Sequence, residues 1–277
     1  MLFRSKNPEV TVVAIHTPNA QHAEQAVAAA RAGKHVFCDK PMATSAADAE
    51  RIVRECEKAG VTLGVNFHNR QMPCFIETRR IVQSGEIGNV IMVQLEASAG
   101  LHAASVAATW RQDPSQAGLG TSMNVGTHVY DILRYIINAE IVMVSAMFET
   151  PPGVMETTSL TTFKFANGTM AQLNVNQSMP DPHNDFVIYG TKGRITGRGL
   201  TRSRAGGVMQ VHLNDGTSRT EQYPAINAHE ACVIDFSKAI LEDRAPAATG
   251  IDGLRSVQLT DAMKKSAWEG VHVRLAG

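Results

Sequence analysis

The chain has 277 residues, 44% apolar and 19% charged, with 26 basic side chains balanced by 26 acidic ones, which is one large domain or two ordinary ones with ample length for a core. Zero formal net charge removes the electrostatic footprint of a nucleic-acid binder. The longest apolar stretches, such as Val10 to Ile15, are of strand length rather than the roughly 20 residues of a membrane span, and Met1 to Pro8 lacks a signal-peptide apolar core.

Val10 to Ile15 reads as a strand buried on both faces of a parallel sheet. A helix follows from Gln21 to Ala32, N-capped by Asn19 and stopped at Gly33. His35 to Cys38 is the next strand, Ser45 with Asp48 opens a helix that Gly60 ends, and Val61 to Phe67 is a third strand. Strands alternating with helices imply right-handed βαβ crossovers. Beyond Asn69 the pattern changes: a helix from Cys74 to Gln83, an alternating strand from Val90 to Ala97, and a helix from Ser122 to Ile137.

From Ile141 to Glu221 the chain reads as an antiparallel sheet, with strands at Val142 to Phe148, Ser159 to Phe165, Thr169 to Val175, Phe186 to Tyr189 and Met209 to Leu213. Asn167-Gly168 signals a tight hairpin, and Asn214, Asp215 and Gly216 another turn. The basic set Lys192, Arg194, Arg198, Arg202 and Arg204 reads as a solvated turn region. Two helices close the chain, His229 to Glu242 and Gly253 to Trp268.

Cys38, Cys56, Cys74 and Cys232 are scattered with no C-x-x-C, which points to free thiols in a reducing cytoplasm. Asp181, His183 and Asp185, flanked by prolines, read as a polar loop, so no metal site is expected.

A parallel βαβ start invites the dinucleotide fingerprint G-x-G-x-x-G, and the sequence contains none. Gly118-Leu119-Gly120 and Gly197-Arg198-Gly199 lack the third glycine. A first βαβ unit with its acidic ribose ligand would take roughly 50–60 further residues upstream, so the sheet is expected to begin midway.

Chemistry-bearing residues gather at the expected carboxyl ends of the first two strands. Thr17-Pro18-Asn19 closes one and Asp39-Lys40-Pro41 the next, on the rim where α/β proteins bind ligands. A lysine there can donate to a carbonyl or hydroxyl oxygen. Farther on, Asn124 and His128 stand four apart in the predicted helix and share a face, so an amide and an imidazole can serve one site. Arg70, at the end of the third strand, can meet an anionic group or lie at the surface.

Two long motifs then carry a resemblance. TPNAQHAEQAVAAARAGKHVFCDKP and WRQDPSQAGLGTSMNVGTHVYD, followed by YGTKGRI and the closing GIDGLRSVQLTDAMKKSAWEGVHVRL, resemble the Gfo/Idh/MocA oxidoreductases in the same order along essentially the whole chain. The resemblance implies an α/β fold, with an incomplete Rossmann-type parallel domain over residues 1–70 and an α+β domain with a large open, mainly antiparallel sheet over 71–277. It makes Lys40, His128 and Asn124 the candidate catalytic set. Thr17, Pro18, Asn19, His22, Asp39, Lys40, Trp110 and Arg111 become the candidate NAD or NADP contacts. Three residues depart from the family pattern: Asp39 replaces a glutamate, Asn124 an aspartate, and Leu119 the middle of three glycines. An amide orients but accepts no proton, which leaves acid/base duty to His128 and Lys40.

The implied reaction is hydride transfer between a nicotinamide cofactor and a sugar, polyol or cyclic hydroxy compound. The missing glycine-rich turn predicts weakened cofactor binding. The alternatives are a cofactor-deficient binding or regulatory homologue, and a lyase or isomerase using the same pocket. A small-molecule substrate and a homodimer or homotetramer are expected, with Val142, Val144, Thr161, Phe163 and Phe165 supplying an apolar contact between subunits. Neither nucleic acid nor membrane is expected as a partner.

Overall fold

The computed structural model describes residues 7–99, 109–200 and 206–275. Three short strands, β1 (Val12–Ile15), β2 (His35–Cys38) and β3 (Leu63–Val65), form a parallel sheet in sequential order. Helices α1 (His22–Arg31) and α2 (Ala46–Ala59) make the crossovers. The Ser45 side chain accepts from the Asp48 amide, and Gly60 takes the left-handed conformation that ends α2, as the sequence predicts. Ile15, Ala26, Val36, Ile52 and Val65 meet in the core of this unit.

Two expectations here are corrected. β1 is not buried on both faces: only Ile15 is buried and Ala14 is exposed, and among the described residues β1 is an edge strand that pairs with β2 alone. Asn19 does not cap a helix. It opens a 3-10 turn (Asn19–Gln21), and its amide nitrogen instead donates to the Ala117 carbonyl at 2.9 Å.

Helix α3 (Pro73–Gln83) leads into β4 (Val90–Ser98); α4 (Pro114–Ala117), a wide π turn (Ser122–Gly126) and α5 (Thr127–Ile137) follow. The helix expected from Ser122 is therefore α-helical only from Thr127. Strands β5 (Ile141–Phe148), β6 (Thr158–Phe165), β7 (Met170–Asn176), β8 (Phe186–Gly190), β9 (Gly193–Arg198), β10 (Gly207–Leu213) and β11 (Ser218–Tyr223) complete the large sheet with β4 and β12 (Val273–Arg274). Its order is β11-β10-β9-β8-β4-β7-β6-β5-β12. The pair β4 and β7 is parallel at the centre of an otherwise antiparallel sheet, which hairpin reasoning did not anticipate.

Helices α6 (Ala228–Leu241) and α7 (Gly250–Glu269) end the fold, with α7 starting at a Thr249–Asp252 capping box three residues earlier than expected. α7 packs along β5, α2 and β3, and so touches both sheets.

β9 corrects the solvated-turn reading of residues 192–198. Gly193, Ile195 and Gly197 are buried while Arg194 and Arg198 face solvent, so the basic residues are the wet face of a strand. Arg202 and Arg204 lie outside the described residues.

The same alternation corrects the intersubunit contact. Val144, Thr161, Phe163 and Phe165 lie inside the core beneath α5 and α7, while Met147, Leu160 and Met170 are 71%, 50% and 53% exposed. Polar Thr162 and Lys164 share the latter face and masked its apolar members. All four cysteines are free thiols and buried, and no helix among the described residues is long and apolar enough to cross a membrane.

Candidate active site

The carboxyl ends of β1 and β2 form one rim. Asp39 accepts from the Lys40 backbone N–H at 2.8 Å, and its other oxygen lies 3.3 Å from His16 Nδ1. Burial pushes the Asp39 carboxyl up, but the Lys40 charge and the hydrogen bonds from His16 and Lys40 hold it below the usual carboxylate range. His22 is buried with its ring nitrogens 2.9 Å from the Pro41 and Thr17 carbonyl oxygens, so it ties the two rim turns together. Thr17 donates to Gln25 at 2.8 Å, and Pro18 sets the turn that follows.

Lys40 reaches from this rim to donate through Nζ to the Asn124 backbone carbonyl in the π turn. Burial, helped by Arg111 and opposed by Asp39, lowers the ammonium to about 8. The contact joins the two parts of the site, but through the main chain of Asn124; no hydrogen bond among the described residues links the Asn124 side chain to His128.

Above Lys40 opens a cleft. Asn19, Asp39, Lys40, Trp110, Arg111 and Asn124 all line it, and Arg111 lies over the Trp110 ring at 4.4 Å. Thr17, Pro18, His22 and His128 do not.

Sequence reasoning missed Glu156. This buried carboxylate lines the cleft and accepts from the Gly120 and Ser122 amides, each at 2.8 Å, fixing the turn before the π segment. A Cβ on Gly120 would stand 1.9 Å from the Glu156 carbonyl oxygen, which is why that glycine is required. No local signal marks Glu156, since its partners are backbone amides more than thirty positions away in the chain.

His128 sits one layer behind Lys40. Its ring centroid is 4.3 Å from that of His68, which is 3.9 Å from that of His229. His128 Nδ1 and both nitrogens of His68 have no hydrogen-bond partner among the described residues. Burial, then Lys40, His68 and His229, hold His128 well below the ordinary imidazole value, and burial with His229 and Lys40 brings His68 to about 3.

Arg70 is buried among protein partners rather than lying at the surface. It holds Asp131 with two hydrogen bonds of 2.6 and 2.8 Å, donates to the Ala247 carbonyl at 2.6 Å, and pairs with Asp252 at 2.8 Å. Asp185 accepts from the Gly199 amide at 2.9 Å, in keeping with a polar loop.

A parallel βα rim presenting a partly buried lysine to a cleft closed by the segments before β6 and after β7 is an arrangement suited to a nicotinamide-dependent oxidoreductase. Comparison with known proteins agrees. Residues 3–67 match the oxidoreductase family with an NAD-binding Rossmann fold, and residues 75–196 match the GFO/IDH/MocA C-terminal domain. A 1,5-anhydro-D-fructose reductase from Ensifer adhaerens is 31% identical over 270 residues, which span 95% of this chain and 79% of that protein. A myo-inositol 2-dehydrogenase from Thermotoga maritima is 26% identical over 98% of this chain and 81% of its own length. Aldose-aldose oxidoreductase from Caulobacter crescentus, solved with glycerol, superposes with a TM-score of 0.89 at 29% identity, covering 99% of this chain and 82% of that one. Levoglucosan dehydrogenase in complex with NADH and levoglucosan superposes with a TM-score of 0.88 at 26% identity, covering 99% and 82%. The chain belongs to the Gfo/Idh/MocA family of oxidoreductases.

Proposed function

We propose that the chain interconverts a hydroxyl and a carbonyl on a sugar or polyol with NAD or NADP, using Lys40 and His128. The observation that carries this reading is Lys40: a lysine lowered to about 8 on the cleft floor, at the carboxyl ends of two parallel strands. The named activities of its relatives support the substrate class.

The cleft fits the nicotinamide end of the cofactor. Asn19 and Asp39 supply polar groups at the rim, and Trp110 with Arg111 forms a wall against which a flat ring packs. When bound, the nicotinamide supplies or accepts the hydride. Lys40 donates a hydrogen bond to the reacting oxygen and stabilises the charge that grows there. As an alcohol is oxidised the hydroxyl proton passes by way of Lys40 to His128, which is neutral at neutral pH, and in reduction it returns to the oxygen from the Lys40 ammonium along the same path. Asn124 and Gln177 are placed to orient substrate hydroxyls.

Residues 1–70 act as the cofactor-binding unit and 71–277 as the unit that walls the substrate and pairs with a second copy through the face bearing Met147, Leu160 and Met170. Four buried free thiols suit a cytoplasmic location. The test is spectrophotometric: NAD(P)H oxidation with a panel of aldoses, ketoses and inosose-type ketones. Turnover that vanishes in Lys40→Met supports the reading, and turnover that persists at the wild-type rate refutes it.

A further inference from the structure

A histidine that moves protons is ordinarily held in place by a hydrogen bond from its second nitrogen to a carboxylate or carbonyl, which also selects its tautomer. His128 has no such partner among the described residues: Nδ1 is buried and unbonded, and the side chain four positions earlier, Asn124, makes no bond to it. What touches the ring is another ring. His68 lies edge-on to it at 4.3 Å and 62°, and His229, in the first turn of α6, backs His68 at 3.9 Å and 39°. Centroid separations this short leave no room for a third group between the rings. His68 is only 3% exposed, yet both of its nitrogens lack partners among the described residues.

We propose that His68, backed by His229, is the positioning residue for His128, fixing the imidazole by ring packing in place of a carboxylate hydrogen bond. The framework supports this. His68 stands two residues before Arg70, and Arg70 grips Asp131, three positions after His128 on α5, so one buried ion pair clamps both ring-bearing segments together. His229 is tied from the other side through Asn66, whose amide nitrogen lies 3.4 Å from His229 Nδ1 and 3.3 Å from Asp39.

Packing of this kind has an electrostatic consequence that a carboxylate would reverse. A carboxylate beside His128 would raise its imidazole, whereas the ring stack excludes water and its imidazoles act in the same lowering direction as burial. Among the described residues, the charged groups that act on His128 and His68 are Lys40, which lowers both, and Asp39, which opposes Lys40 at His68. His128 is thereby kept neutral and ready to accept a proton across the neutral range.

The inference rests on the oxidoreductase reading for its catalytic meaning, and its test has a readout that needs no turnover. In the whole chain labelled with ¹³C-histidine, His68→Ala is expected to raise the NMR titration midpoint of His128 by a unit or more as water enters, and His68→Phe to leave it near its original position. In the assay above, His68→Ala should lower kcat 10- to 100-fold with KM within threefold, His68→Phe should restore kcat to within about threefold of wild type, and His229→Ala should give a smaller loss in the same direction. An unchanged His128 titration in His68→Ala overturns the proposal. So does a His68→Phe variant as impaired as His68→Ala, since that outcome assigns the role to the ring nitrogens. A wild-type chain with no turnover, but with the expected titrations, overturns the oxidoreductase reading and leaves the packing role standing.

Discussion

Lys40 and His128 occupy ground where burial works against charge on both, and the two respond to different degrees. Lys40 keeps a proton to about 8, because Asp39 partly offsets its burial. Carbonyl reduction that draws its proton from Lys40 is expected to hold at neutral pH and to fall as pH rises through about 8, well before the range of a free lysine; a pH-rate profile flat to 10 contradicts this. Asn124→Asp places a carboxylate on the same cleft wall, which raises both Lys40 and His128 and moves that falling limb to higher pH. Among the cleft residues, Asn19, Asp39 and Lys40 were legible from strand-end position, and Trp110 and Arg111 only through the family resemblance. His68 and Glu156 were not, because what matters about them is contact across more than thirty residues of chain with His128 and with the Gly120 and Ser122 amides.

The elements that hold the site are joined by buried polar groups. Arg70 after β3, Asp131 and Arg134 on α5, and Asp252 at the start of α7 form one network, with Arg70 and Asp131 8% and 0% exposed at their side chains. Removing one partner strands a buried charge, so Arg70→Ala or Asp131→Ala should cost about 3–5 kcal/mol in denaturant unfolding, and the double variant much less than the sum. A loss below 1 kcal/mol in both single variants would show that the network does not bind the elements. Gly120→Ala should destabilise by about 1–3 kcal/mol, since its methyl group meets the Glu156 main chain.

Capped helices and alternating strands were readable ahead of the structure, as α2 and β6 demonstrate, because their signals are local. β9 was lost among arginines, and β11, whose burial alternates only between exposed and half-buried, carries little apolar signal. The parallel pairing of β4 with β7 joins segments about eighty residues apart, and no local pattern specifies it.

At the scale of the molecule, the cleft proposed for the nicotinamide lies at the rim of the three-stranded sheet, and the sequence given holds no G-x-G-x-x-G turn for a pyrophosphate. The chain is therefore expected to bind NAD(P)H more weakly than relatives that carry the turn, and a submicromolar dissociation constant by calorimetry would contradict this. Sedimentation at micromolar concentration should find a dimer or tetramer, and Met147→Lys with Leu160→Lys should shift it toward monomer. A wild-type protein that sediments only as monomer would refute the pairing. The central claim is that Lys40 is the group through which this cleft drives hydride transfer. It is tested most directly by single-turnover absorbance at 340 nm, with saturating NAD(P)H and a reducible sugar, in wild type and Lys40→Met. The account predicts a rate at least 100-fold lower in the variant with cofactor binding retained; equal rates in the two proteins would contradict it.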